Sequence, residues 1–412
     1  MTDLKFKRSD YFDLPETDIF SVPPTQNSIV SSTWDHIISN GNIKDSTITF
    51  DIPKGDDYIS LPETEFHVKF VIKSPDGVNN LTHDYHSGVA NNILHSLFKQ
   101  VIVKIENITV ENTNENYAYK AYLENLLCYS KEVKNTVLWR EGFTHNEQND
   151  KTYKSLLHTE AANTVVDTTH NVGSVKVNEF SASVDPGFKK RYDLCNNAKE
   201  VHLCGKLHAD IFNIDRLMLN NVKISIVLTK SDDPWFFMGV NKPKLEKLNV
   251  EFIETYLKVR RCKMSSDIMI AHATKLMSVP ACYPYRKTEI KAVTTDVKSQ
   301  FIALTSFYTG PTPARVVVGF LEPGSYHGDY TKNPFCFVNM KMRNIVLKST
   351  GKNIPYSEPI KVDFSTNKHY WEGYNSLVSN VRINNGITYD SYKWGNTLYA
   401  FDLTPDLSGS DH

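Results

Sequence analysis

Residues Val201 to Phe237 read VHLCGKLHADIFNIDRLMLNNVKISIVLTKSDDPWFF. In the second half of this stretch Val222, Ile224, Ile226 and Leu228 alternate with Lys223, Ser225, Val227 and Thr229, the period of a strand with one buried and one wet face. Asn220-Asn221 marks a turn before it. Asp232-Asp233-Pro234 stops it, because proline cannot donate to a ladder. Upstream, Leu207, Ala209 and Ile211 alternate with His208, Asp210 and Phe212, which predicts another strand with His208 and Asp210 facing solvent. Downstream, Lys242 to Lys247 is polar and linker-like, and alternation resumes from Val250 through Val259. The stretch therefore reads as the close of one β domain and the hinge to another.

Working outward in both directions gives more of the same grammar. Ile48, Phe50 and Ile52 form one face of a strand, Phe66, Val68, Phe70 and Ile72 another, and Val101, Val103 and Ile105 a third. Short helices are expected over Val89 to Phe98 and Tyr117 to Tyr129, the second with Ala118, Ala121, Tyr122 and Leu126 on one stripe. Residues 142–193 are weakly patterned and suit a long loop. The second half repeats the order: a helix over Ser266 to Met277, strands at 286–293, 300–308, 314–321 and 338–348, a helix over Thr366 to Ser379 and a strand over Thr397 to Leu403. The fold class expected is all-β: two tandem jelly-roll barrels, a double jelly-roll, with a few short helices in the loops. Residues 1–45 are expected to be an N-terminal arm, 46–235 the first jelly-roll domain, 236–247 a linker and 248–412 the second jelly-roll domain.

Composition narrows the function classes. The 412 residues carry 46 Lys+Arg against 47 Asp+Glu, a net charge of -1, so no global field drives binding to nucleic acid or membrane. Six scattered cysteines, Cys128, Cys195, Cys204, Cys262, Cys282 and Cys336, form no C-x-x-C pair and read as reduced thiols. The N-terminus lacks the apolar core of a signal peptide, and no run reaches the ~18 apolar residues of a membrane span. Asn80-Leu81-Thr82 and Asn107-Ile108-Thr109 match the glycosylation pattern and are expected to be unmodified.

The motifs of catalysis are missing. There is no P-loop, no dinucleotide fingerprint and no nucleophile elbow. His208-Ala209-Asp210 is the nearest approach to a metal-binding pair, and solvent-facing polar residues are the stronger reading. His83-Asp84-Tyr85-His86 offers two imidazoles without a third ligand. The basic run Gly187-Phe188-Lys189-Lys190-Arg191 and the weaker Lys5, Lys7 and Arg8 suit a solvated loop or salt bridges between subunits better than a phosphate footprint. Cys195 and Cys204 have no His-Asp pair that would make a thiol nucleophile. No catalytic, cofactor or metal site is expected, and no enzyme.

Several blocks carry a family resemblance. Asp18 to Trp34 (DIFSVPPTQNSIVSSTW), Gly55 to Leu61 (GDDYISL), Asn92 to Gln100 (NILHSLFKQ), Tyr117 to Leu127 (YAYKAYLENLL), Leu203 to Leu219 (LCGKLHADIFNIDRLML), Asn333 to Phe337 (NPFCF) and Ala400 to Leu407 (AFDLTPDL) occur in this order across nearly the whole chain. Together they resemble the Polinton/Maverick and adintovirus-type major capsid proteins, which also occur as endogenous viral elements. The resemblance implies a virion structural protein whose two barrels stand side by side. Three copies would form a homotrimeric, pseudo-hexagonal capsomer, and capsomers would tile an icosahedral shell assembled in the host cytoplasm or nucleus. The implied partners are the chain itself, neighbouring capsomers, a minor capsid or penton protein and, weakly at the inner face, packaged DNA. Relatives continue with further strand-forming sequence after the AFDLTPDL-like block, so the second barrel is expected to be incomplete at its C-terminus, in a truncated copy or a partial chain. The competing function is a jelly-roll ligand-binding module of lectin type, which would require a sugar or metal site and a monomer.

Overall fold

The computed structural model describes residues 26–74, 81, 87–145, 186–239, 242–295, 301–305, 308, 310–349, 351–364, 369–381 and 383–404. It is mostly β-sheet with a few short helices. In chain order the strands are β1 (Ile29–Ile38), β2 (Thr47–Ile52), β3 (Tyr58–Lys73), β4 (Ser87–Val89), β5 (Phe98–Ile105), β6 (Ile108–Asn112), β7 (Glu200–Lys206), β8 (Ile224–Lys230), β9 (Phe237–Gly239) and β10 (Asn249–Met264). Then follow β11 (Arg315–Gly319), β12 (Asn344–Ile345), β13 (Leu347–Ser349), β14 (Lys352–Ile354), β15 (Ile360–Lys361) and β16 (Leu398–Asp402).

Two four-stranded antiparallel sheets dominate. Their strand orders are β1-β10-β3-β7 and β2-β8-β5-β6. If the eight strands are lettered B to I in chain order, leaving aside the short β4–β9 pair, these sheets are B-I-D-G and C-H-E-F, the order of a jelly roll. The core lies between them. In β8, Ile224, Ile226 and Leu228 are fully buried and alternate with half-buried Ser225, Val227 and Thr229, as the sequence period predicts. Phe50 of β2 meets Phe66 of β3 edge-on at 5.8 Å, Phe66 meets Phe98 of β5 at 5.5 Å, and Phe98 meets Phe252 of β10 at 5.9 Å. Each contact joins one sheet to the other, with ring separations in the favourable range.

Turn chemistry fixes the corners. Glu106 and Asn107 both have positive φ, 48° and 67°, which gives the tight turn of the β5–β6 hairpin. Asn221 at φ 57° makes the predicted turn before β8, and its N–H donates to the Gly55 carbonyl at 2.7 Å.

The sandwich takes in two strands that alternation placed outside it. β1 falls in the expected arm and pairs along β10, with Trp34 opposite Arg260. β10, expected to open the second domain, sits between β1 and β3, with Phe252 opposite Phe70. The eight strands of the sandwich thus run from Ile29 to Met264. The physical reason is that strand partners in such a fold are set by long-range pairing, which local period does not encode.

A second core lies beyond the first. The helix Tyr117–Cys128 is buried nearly all round. Tyr117 belongs to the first core, while Ala118, Tyr119, Tyr122 and Leu126 pack with Phe335, Phe337, Ile360, Val362, Leu377 and Tyr392. Tyr122 stacks on Phe335 with ring centres 4.0 Å apart. β11 pairs with β16, Val317 opposite Ala400. The helix Trp371–Val381 covers this pair, and Asn380 Nδ2 donates to the Ala400 carbonyl at 2.8 Å. In β16, Tyr399 and Phe401 are buried. Leu398 and Ala400 are buried as well, so both faces are covered.

Elsewhere the second half departs from its expected strands. Residues 281–295 and 301–305 form none. At 338–348 the chain turns through Met340 and Lys341, both at positive φ, before the short β12 and β13. β11 and the helices Ser266–Leu276 and Trp371–Val381 lie where the period places them, within a few residues.

Candidate functional site

Two features could carry function: an apolar segment on the outside and a polar cluster on the inside. The outer one begins where β10 ends. The helix Ser266–Leu276 has no buried residue. Ile270, Met277, Val279, Val293 and Phe301 along it and the following stretch are exposed, Met277 to 88% and Phe301 to 80%. Polar bonds tie this segment to the sandwich. Tyr283 Oη accepts the Leu219 N–H at 2.9 Å, Arg216 donates to the Cys282 carbonyl at 2.6 Å, and Asp210 Oδ2 accepts the Thr288 N–H at 2.6 Å. The segment is thus held against the sandwich while many apolar side chains point away from it. Trp34, Val30 and Ile38 on β1 add exposed apolar surface at the sheet edge. Among the described residues no helix is long and apolar enough to cross a membrane.

The inner cluster begins where β7 ends. His208 and Asp210 were expected on the wet face of a strand. They are 8% and 3% exposed, because β7 stops at Lys206 and the chain enters a 3-10 turn over Asp210–Asn213. Asp210 Oδ1 receives Lys120 Nζ at 2.6 Å, and the same ammonium reaches Glu111 Oε1 at 2.9 Å. Glu111 also accepts the backbone N–H groups of Asp210 and Ile211 at 2.8 and 3.1 Å. Burial alone would push Lys120 down; the carboxylates of Glu111, Glu124 and Asp210 outweigh it and hold the ammonium above the ordinary lysine range.

His208 itself turns the other way. Its Nδ1 lies 2.6 Å from Glu124 Oε2, and its ring stands edge-on to His95 with centres 4.6 Å apart. His95 sits on the single helical turn Ile93–Ser96, its Nδ1 2.9 Å from Tyr117 Oη and its Nε2 3.4 Å from Glu141 Oε2. Glu141 closes the 3-10 turn Leu138–Glu141 and accepts from Asn125 Nδ2 at 3.1 Å. His95, Glu141 and His208 are all buried, and each can offer a ligand atom within 4.8 Å of the others. Burial, reinforced by His208, pushes the His95 imidazolium below its ordinary range and so favours the neutral ring, against the opposing pull of the Glu141 carboxylate. Burial works to raise the Glu141 carboxyl, but its bonds with His95 and Asn125 hold it below the usual range.

Other sequence candidates are dispersed. The basic run lies at the start of the helix Pro186–Cys195 rather than in a loop. Phe188 and Arg191 are buried, and Arg191 donates to the Val89 carbonyl at 3.1 Å and to Thr144 Oγ1; Lys189 and Lys190 are exposed. Cys195, Cys262 and Cys336 are buried and all six cysteines are free. Burial pushes the Cys195 thiol up to about 12, the opposite of an activated nucleophile. Lys5, Lys7, Arg8 and the His83–His86 run fall outside the described residues. Sequence reasoning missed His95 and Glu141 altogether. The signal was thin: one histidine in a short apolar helix and one glutamate before Gly142, far apart in the chain.

No family model matches the chain. It is similar to an uncharacterised protein of Caenorhabditis elegans, 22% identical over 401 residues that cover 93% of this chain and 86% of that protein. Among solved structures it is similar to the PBCV-1 virus capsid, with a TM-score of 0.45, 11% identity, and coverage of 93% of this chain and 80% of that one. The Sputnik virophage structure matches with a TM-score of 0.37 and 11% identity over 62% of this chain, which spans 53% of that chain. The mavirus major capsid protein matches with a TM-score of 0.30 and 10% identity, over 77% of this chain and 55% of that one.

Proposed function

We propose that the chain is a structural shell protein that works by associating with copies of itself. The observation that carries this reading is the stretch from Ser266 to Val293, held to the sandwich by polar bonds while Ile270, Leu276, Met277, Val279 and Val293 stay exposed. Exposed apolar surface of this extent is costly unless another surface covers it. A second copy fits best, since a net charge of -1 puts little repulsion between copies. The jelly-roll order of the sandwich, and sequence blocks that resemble those of Polinton/Maverick and adintovirus-type major capsid proteins, support the finer reading.

In that reading the chain is a virion capsid protein. The sandwich is the first barrel, and the residues after Met264 build the second around the Phe335, Leu377 and Tyr399 core. Three copies close around a threefold axis through a heterologous contact, in which one patch of each subunit meets a different patch of the next and the rotation closes the ring. Capsomers then meet each other and a penton protein at the shell, with the inner face towards packaged DNA.

Sedimentation velocity and negative-stain microscopy of the purified chain test this. Concentration-dependent assembly into trimers and larger particles is expected, weakened by the double variant Ile270→Asp and Met277→Asp. A wild-type protein that stays monomeric across the micromolar range, or a variant that assembles as well as wild type, would overturn it.

A further inference from the structure

We propose that His95, Glu141 and His208 form a buried site for a divalent transition-metal ion, zinc foremost, that staples three separate segments of the sandwich. Periodicity put His208 in solvent and suggested no metal site; the fold brings it to two partners the sequence did not single out. One ligand comes from the helical turn before β5, one from the 3-10 turn Leu138–Glu141, and one from the exit of β7. Two imidazoles and a carboxylate are a common ligand set for zinc.

Three details favour an ion over hydrogen bonds alone. The first is spacing. His95 Nε2 and Glu141 Oε2 are 3.4 Å apart. That is longer than the ~2.7–2.9 Å of a charge-assisted hydrogen bond. It is near the ~3.3 Å that separates two ligands on a tetrahedral zinc with bonds of about 2.0–2.1 Å.

The second is the outer shell. Metal-binding histidines almost always use their other ring nitrogen on a carboxylate or similar partner. Here His208 Nδ1 meets Glu124 Oε2 at 2.6 Å and His95 Nδ1 meets Tyr117 Oη at 2.9 Å, which leaves both Nε2 atoms for a ligand. Glu141 and Glu124 together would balance a double positive charge.

The third is the wall. Asn125 is fully buried beside Glu141, and among the described residues its Oδ1 has no hydrogen-bond partner. It is the natural fourth ligand, or the partner of a water in that position. Gly205 on β7 makes room for Glu141: a Cβ there would lie 2.4 Å from Glu141 Cγ.

The test uses the full chain, produced with added zinc and dialysed without chelator. Elemental analysis should find about one zinc, or another first-row divalent ion, per chain. Replacement by cobalt(II) should give the intense visible absorption of a tetrahedral centre, and chelation should lower Tm. Glu141→Gln and His208→Gln should each cut metal content at least about tenfold, whereas Cys195→Ala, also buried in the sandwich, should leave it unchanged. If either variant fails to fold, the wild-type metal content and cobalt spectrum decide. Wild-type protein with less than about a tenth of an ion per chain after refolding with excess zinc, or variants that retain full occupancy, would overturn the proposal.

Discussion

Lys134 is a lysine with no exposed surface. Its ammonium donates to the carbonyls of Leu126 and, at 2.5 Å, Asn385. Burial pushes its pKa from 10.5 down to about 7. Between those values the unfolded chain binds a proton that the folded chain does not, so stability should rise as pH climbs through that window. Below it both states are protonated and the burial cost is constant. Urea denaturation across the window should show this rise in the wild type, and Lys134→Met should abolish it while leaving two carbonyls unpaired, at ~1–3 kcal/mol each. A wild type with no such rise would mean that the two carbonyls keep Lys134 charged in the folded state. Lys120→Met should cost more, about 3–5 kcal/mol, because it strands the Glu111 and Asp210 carboxylates in the interior. A loss under about 1 kcal/mol by the same measurement would show that the pair takes up a proton or finds water. These buried partners also explain why the residue level was poorly legible. Asp210 looks like a surface residue in its own sequence; what buries it is Lys120 and Glu111, about 90 and 100 positions away.

At the scale of single elements the sequence was more informative where one face is buried and the other wet. β8 shows it: Ile226 is flanked by Phe50 of β2 and Val103 of β5, and the alternation in its own sequence names the buried face. Ile226→Asp should therefore cost several kcal/mol, on the order of 3–5 for an unpaired buried charge. Circular dichroism during denaturation would read it, and a variant as stable as wild type would show that the face is not core. β1 fails the same reading for a physical reason. It is an edge strand exposed along most of its length, so Trp34 and Ile38 need no inward period, and it is held by backbone pairing to β10 and by contacts to that strand's side chains, Asp35 with Arg261 and His36 with Tyr256. β10 was legible as a strand and misplaced as a neighbour. Its Phe252 pairs with Phe70, about 180 residues earlier, and nothing local to either residue announces that match.

The whole molecule turns on the helix Tyr117–Cys128. A chain with two independent barrels would place this helix in the first and leave the second to fold by itself. Instead Tyr117 faces the first core, and Tyr119 and Tyr122 are built into the second, against Trp235 and Phe335. Lys134, just beyond the same helix, reaches across to Asn385. Separating the two parts would uncover Tyr119, Tyr122, Phe335 and Phe337 together, and aromatic side chains of this size contribute the largest share of a core. The two parts should therefore unfold as one. Scanning calorimetry of the full chain should show a single transition. Phe335→Ala, which removes the ring stacked 4.0 Å from Tyr122, should destabilise the protein by about 3–5 kcal/mol and begin to split that transition in two. Two well-separated transitions in the wild type would mean that the shared aromatic contacts contribute little, and that the sandwich from β1 to β10 is stable without the residues that follow it.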